Sequence, residues 1–203
     1  MPYSKFRLQD IVTRFGLGIS TEIFFTDVKP LAYSDWLKEA LERATKLGYN
    51  SGKERSERLI HPVLAELNVL NNYEFAVYSG RDLDIDKVQE LVGECDFIFA
   101  FSETLDLLQA PIFMLMEAKE ENMDAGIAQC AAQMMGAMLF NERENSSIST
   151  IYGCTTIGNM WRLMKLKDNK LHLDKNYYYI DNVGTLLGAL QLVLEDCKKN
   201  YVK

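Results

Sequence analysis

Cys95-Asp96-Phe97-Ile98-Phe99-Ala100-Phe101 and Ile112-Phe113-Met114-Leu115-Met116-Glu117-Ala118-Lys119 are apolar runs whose charge is confined to one end: an aspartate opens the first and Glu-Ala-Lys closes the second. Both runs are short, bounded by polar or proline-containing segments, and too apolar to be half-exposed. They therefore predict central strands of a covered sheet. Residues two apart on a strand share a face, so Glu117 and Lys119 project from one side at the strand end. If Asp96 ends a neighbouring strand, two carboxylates and an ammonium converge on one point. The same residues, running into Glu120 and Glu121, also fit a charged strand end entering solvent, with Asp96 in a turn.

The convergent arrangement has a definite chemistry. Hard carboxylate oxygens are the minimal protein share of a Mg²⁺ site, because this ion keeps several waters and takes its remaining ligands from substrate phosphate. A lysine beside it can orient or help deprotonate a water, which suits hydrolysis of a phosphodiester.

Working outward, Ser34 is an N-cap for a helix whose apolar face is Leu37, Ala40, Leu41, Ala44 and Leu47, and Gly48 supplies the stop. Tyr49-Asn50-Ser51-Gly52 reads as a linker. From Lys53 a second helix sets Glu57, Ile60, Leu64 and Leu67 on related faces, and Pro62 predicts a kink near Arg58 to His61. Glu74 to Ser79 reads as a strand, and the Leu-rich Ser102 to Ala110 as a connection packed on the fold.

After Asn122, with Asp124 as cap, a helix spans about Ala125 to Phe140. Its small residues let its backbone lie close to the sheet, with Gln129 and Gln133 on one face. Short strands follow over Ser149 to Cys154, Trp161 to Leu166, Lys170 to Leu173 and Tyr177 to Ile180, with a hairpin turn at Lys167-Asp168-Asn169-Lys170. Val183 to Lys199 closes the chain as a helix. Phe6 to Phe25 is a mixed stretch in which Thr21 to Phe25 reads as a strand.

This order of elements resembles the PD-(D/E)XK nuclease superfamily, most closely a group of uncharacterised bacterial proteins. Cys95-Asp96 stands where the family name has Pro-Asp, and Glu117-Ala118-Lys119 matches its (D/E)xK element 21 residues on. Glu57, in Arg55-Ser56-Glu57-Arg58, corresponds to the glutamate of the first core helix, with Glu54 as the other candidate. Gln129, in Gly126-Ile127-Ala128-Gln129-Cys130, corresponds to a glutamine on the helix after the lysine strand. The resemblance implies an α/β, restriction-endonuclease-like fold: a mixed central sheet of four or five strands flanked by helices. It leaves an extra β-hairpin region and an N-terminal helical segment.

It further implies a Mg²⁺ (or Mn²⁺) held by Asp96, Glu117 and Glu57, with Lys119 positioning the attacking water and Gln129 orienting the site. The implied partner is nucleic acid, DNA first, and such nucleases are often homodimers. A non-catalytic binding or assembly module that keeps the fold is the alternative.

Composition bounds these expectations. The chain has 203 residues, enough for one α/β domain with residues 1–50 as an N-terminal extension and 51–203 as the core. No apolar run approaches the roughly 18 residues of a membrane span, and no signal-type h-region follows Met1, so a cytoplasmic protein is expected. Cys95, Cys130, Cys154 and Cys197 are widely spaced in apolar contexts and read as buried free thiols. The 22 basic and 29 acidic residues give a net charge of −7, which offers a phosphate backbone little general attraction. Binding must then be local: Lys53, Arg55 and Arg58 are the candidate contacts, with Arg162, Lys165, Lys167 and Lys170 on a late hairpin as a second basic patch, and either also fits a solvated face. His61 and His172 lie in unrelated contexts, and neither a GxSxG elbow nor a complete dinucleotide fingerprint occurs.

Overall fold

The computed structural model describes residues 2–102, 104–146 and 148–201. It is mixed α/β, built on an open eight-stranded mixed sheet. In chain order the elements are α1 (Leu8–Phe15), β1 (Gly18–Glu22), α2 (Asp35–Leu47), α3 (Gly52–Arg55), α4 (His61–Leu70), β2 (Ala76–Asp82), β3 (Glu94–Ala100), β4 (Ile112–Ala118) and α5 (Met123–Arg143). There follow β5 (Ile151–Thr156), β6 (Met160–Lys167), β7 (Lys170–Asp174), β8 (Tyr178–Tyr179) and α6 (Val183–Lys199).

Across the sheet the order is β1-β7-β6-β5-β4-β3-β2, with β8 also paired to β6. Strands β2, β3 and β4 form an antiparallel meander, while β4 and β5 run parallel, joined by α5 as the crossover. That connection explains why β4 and β5 are apolar along nearly their whole length: a crossover helix buries one face and a second layer the other. Gly153 lets α5 close down on β5, since a Cβ there would stand 2.4 Å from Met134 Sδ. On the opposite face Tyr152 Oη donates to Asp196 Oδ2 of α6 at 2.8 Å, and α4 packs beside α2 and α6. The buried apolar residues form one continuous cluster through both layers.

Several expectations stand and several need correction. Ser34 Oγ caps α2 by accepting from Leu37 N, and Asp168 and Asn169 both take positive φ in the two-residue turn between β6 and β7. The stretch before residue 26 differs: Leu8, Ile11 and Phe15 make the amphipathic α1, ended by Gly16 at φ 62°, and the strand is Gly18–Glu22 rather than Thr21 to Phe25. Because β1 pairs in parallel with β7, part of the N-terminal 50 residues belongs to the sheet itself. The cap of α5 is Asn122, whose Oδ1 accepts from Ala125 N, while Asp124 sits in the first turn. In the connection between β3 and β4, Leu105 and Leu107 are exposed, while Leu108 packs on the core and Tyr78 Oη holds the loop through the carbonyls of Thr104 and Leu107.

Between α3 and α4, Ser56–Ile60 is a π-helical turn in which His61 N donates to Ser56 O. Pro62 has no N–H for the carbonyl four residues back, and the wider turn accommodates that loss. The expected kink at Arg58 to His61 thus takes this form. Helix α4 ends in a turn where Asn72 and Tyr73 both have positive φ (52° and 58°). None of the helices among the described residues is long and apolar enough to cross a membrane.

Candidate active site

Phe97 pairs with Met116 and Ile98 with Leu115, so continuing the register by one step sets Asp96 opposite Glu117. Glu117 is also the partner of Thr155 on β5. Paired residues share a face, and a Cβ added to Gly126 of α5 would lie 2.3 Å from Thr155 Cγ2, so this face is the one covered by α5. The sheet therefore brings both carboxylates to one side, beneath the helix that carries the glutamines.

Helix α5 then completes the arrangement. Gln133 Nε2 donates to Glu117 Oε2 at 2.7 Å, and Lys119 Nζ pairs with Glu117 Oε1 at 2.7 Å. Lys119 Nζ also donates to Gln129 Oε1 at 2.7 Å. Gln129 and Gln133, four residues apart on one helical face, thereby hold the lysine and the glutamate in a single hydrogen-bonded chain. Asp96 is fixed separately, its Oδ2 accepting from Ala118 N at 2.7 Å.

Asp96, Glu117, Lys119 and Gln129 line one cleft of about 340 Å³, to which Pro2, Tyr3 and Ser4 also contribute. Tyr3 is locked there: its Oη donates to Leu83 O at 2.7 Å and sits where a Cβ on Gly136 would come within 2.3 Å.

Glu117 is 2% exposed. Burial, reinforced by the charge of Asp96, pushes its carboxyl up to about 7, while the contacts with Lys119 and Gln133 pull the other way. A carboxyl that is costly to ionise without more positive charge beside it is a ready partner for a cation. Two buried side-chain oxygens close to it, Gln133 Oε1 and Thr155 Oγ1, have no hydrogen-bond partner among the described residues. Gln133 is a site residue that sequence reasoning did not select, although its i+4 spacing from Gln129 was visible.

Glu57 stands apart from this cluster. It is exposed, 3.9 Å from Lys53, and lines an adjoining cleft of about 440 Å³ that shares Glu94, Asp96 and Ala118 with the first. Among the described residues no group of three or more His, Cys, Asp or Glu is arranged to hold a metal ion. The donors that fit a hard divalent cation are thus Asp96 and Glu117, with Glu57 facing Asp96's cleft from the other layer.

Glu54 is used locally: its Oε2 accepts from Ser51 N and Asn50 N and its Oε1 from Arg58, and these bonds, that from Ser51 foremost, hold its carboxyl below the usual range. Of the basic candidates, Lys53 lines the adjoining cleft. The guanidinium of Arg55 instead donates to the carbonyls of Tyr49 and Ile157, and that of Arg58 to Gly48 O and Glu54, so both fasten the linker before α3. The cysteines are free and buried, and burial raises their thiols, leaving them inert. Neither a scan of family models nor a search of curated proteins finds a match to this chain.

Proposed function

We propose that this chain is a divalent-metal-dependent nuclease of the PD-(D/E)XK type, hydrolysing phosphodiester bonds of nucleic acid, DNA first. The observation that carries the reading is the chain Gln129–Lys119–Glu117–Gln133 facing Asp96 in one cleft. The order α4, meander β2–β4, crossover α5 and parallel β5 supports the restriction-endonuclease-like fold that the motifs imply.

Asp96 and Glu117 would hold Mg²⁺ or Mn²⁺, with Glu57 reaching it through water. The bound ion would polarise a phosphoryl oxygen and acidify a coordinated water. Lys119 has three N–H donors, of which Glu117 and Gln129 take two, leaving one to orient the attacking water. Gln129 fixes the lysine through Oε1, and its Nε2 is left to donate to a phosphate oxygen. Lys53 supplies positive charge at the neighbouring cleft.

The test is a panel of single-stranded, duplex and branched DNA and RNA assayed at low salt with Mg²⁺ or Mn²⁺. Wild type should cut at least one member only with metal, and Glu117→Ala and Lys119→Ala should lose cutting while staying folded. A wild type that neither binds nor cuts any of them would leave the non-catalytic assembly reading in its place.

A further inference from the structure

The two edges of the sheet are finished differently. Edge strand β2 is interrupted by Gly80 at φ 60° and runs out through Arg81 and Asp82, a kink and charges of the kind that keep a further strand from pairing. Edge strand β1 carries no such device. Its register with β7 is unbroken from Gly18 to Glu22, and neither proline, lysine nor arginine occurs between Gly18 and Ile23. Its single charge, Glu22, is already engaged within the chain by His172 Nδ1 at 3.0 Å and Lys165 Nζ at 3.7 Å.

The hydrogen bonds of β1 show which of its backbone groups are left over. Gly18 N donates to Asn169 O and Lys175 N donates to Glu22 O, so Gly18, Ser20 and Glu22 turn their backbone groups to β7. Ile19 and Thr21 therefore point theirs outward. Ile23 does the same one residue past the strand, since Phe24 N turns back to Asp174 Oδ1 at 3.3 Å. Among the described residues no hydrogen bond reaches the backbone of these three. Their side chains are all β-branched and exposed, Ile19 at 46% and Ile23 at 51%. The pairings Thr21 with Leu173, Leu173 with Met164 and Met164 with Gly153 place them on the face that α5 covers farther in.

We infer that β1 pairs antiparallel with β1 of a second copy about a two-fold axis at Thr21, making a homodimer with one sheet running through both copies. The chain itself selects that partner and that register. Opposed residues of an antiparallel pair exchange both backbone bonds only where their groups face each other, so the axis must pass through an outward residue. Centred on Ile19 the pairing would need Leu17, whose N–H is spent on Val12 O; centred on Ile23 it would need Phe25, whose carbonyl accepts from Asn176 Nδ2. Centred on Thr21, each group offered by Ile19, Thr21 and Ile23 meets its complement. Ile19 then packs on Ile23 of the other copy and Thr21 on its own image, while Ser20 stands beside Glu22 on the opposite face. The contact is isologous and closes at two copies. Its axis is perpendicular to the sheet, so both α5 layers lie on one side.

This inference goes beyond the nuclease reading and does not depend on it. A contact made by one strand from each copy buries less than a standard interface, which predicts a reversible dimer that dissociates in the micromolar range. Sedimentation velocity on the full chain across that range should show the weight-average mass rising from monomer towards dimer. Thr21→Pro removes the outward N–H at the axis and no bond to β7, a place where an edge strand tolerates proline, and should leave a folded monomer at every concentration. Ile19→Lys, at an exposed position, should weaken association roughly ten-fold or more and serves should the proline variant fail to fold. Adding Ile23→Glu to Ile19→Lys opposes unlike charges across the axis and should recover most of that loss.

A wild type that stays monomeric throughout overturns the inference. So does a dimer that Ile19→Lys and Thr21→Pro leave unweakened, which would place the contact on another surface. A double variant no better than Ile19→Lys alone overturns the register and the proposal with it.

Discussion

Glu117 concentrates the energetic tension of the molecule in one carboxyl group. Its folded pKa of about 7 lies above the ordinary 4.5, so between those values the folded state binds more protons than the unfolded state and stability falls as pH rises. The shift corresponds to roughly 3 kcal/mol. Glu117→Gln should therefore gain about that much relative to wild type between about pH 5 and pH 8 in denaturant melts, and a constant difference would contradict it. A cation competes with the same proton, so metal affinity and cleavage should rise as pH passes through about 7. Gln133→Leu removes the donor that holds Glu117 Oε2, and metal affinity by calorimetry at neutral pH should drop roughly 10–100-fold. The charged residues of the site were legible because a charge on an apolar strand is conspicuous. Gln133 was not, because a glutamine reads as polar whether it faces solvent or, as here, is wholly buried against a carboxylate.

At the scale of elements, the site depends on how closely α5 approaches the strands. A Cβ at Gly126 would stand 2.3 Å from Thr155 Cγ2 and 3.0 Å from Lys119 Cγ, so the helix can pass the lysine stem only with glycine there. Gly126→Ala should cost about 1–3 kcal/mol in thermal or urea melts and reduce cleavage more than stability, since Lys119 must move. Strands β3 and β4, helices α2 and α6 and the β6–β7 turn follow from apolar runs, caps and turn residues. Helix α1 was missed although Leu8, Ile11 and Phe15 make it amphipathic, because its eight residues run directly into Gly16 and β1 and offer only two turns of pattern. The parallel pairing of β1 with β7 joins residues about 150 apart, a relation that no local pattern encodes. Choosing between Glu54 and Glu57 likewise needed coordinates, because Ser51 and Arg58 engage the former in a capping role.

For the whole molecule, a net charge of −7 and two clefts that share Asp96 and Glu94 are what the proposed metal would offset. Excess Mg²⁺ or Mn²⁺ should raise the thermal midpoint over that in EDTA, by mass action on the folded state alone. Identical melting curves would speak against a metal site, and the gain should vanish in Glu117→Ala. The 3-10 turn at Tyr3–Lys5 has a practical consequence of its own. Pro2, Tyr3 and Ser4 line the cleft, and Tyr3 is pinned by Leu83 and by its fit against Gly136. A polypeptide fused at this end therefore begins within a residue or two of side chains that line the cleft. A purification tag at this end starts beside the proposed site, so assays should use protein tagged elsewhere or with the tag trimmed away.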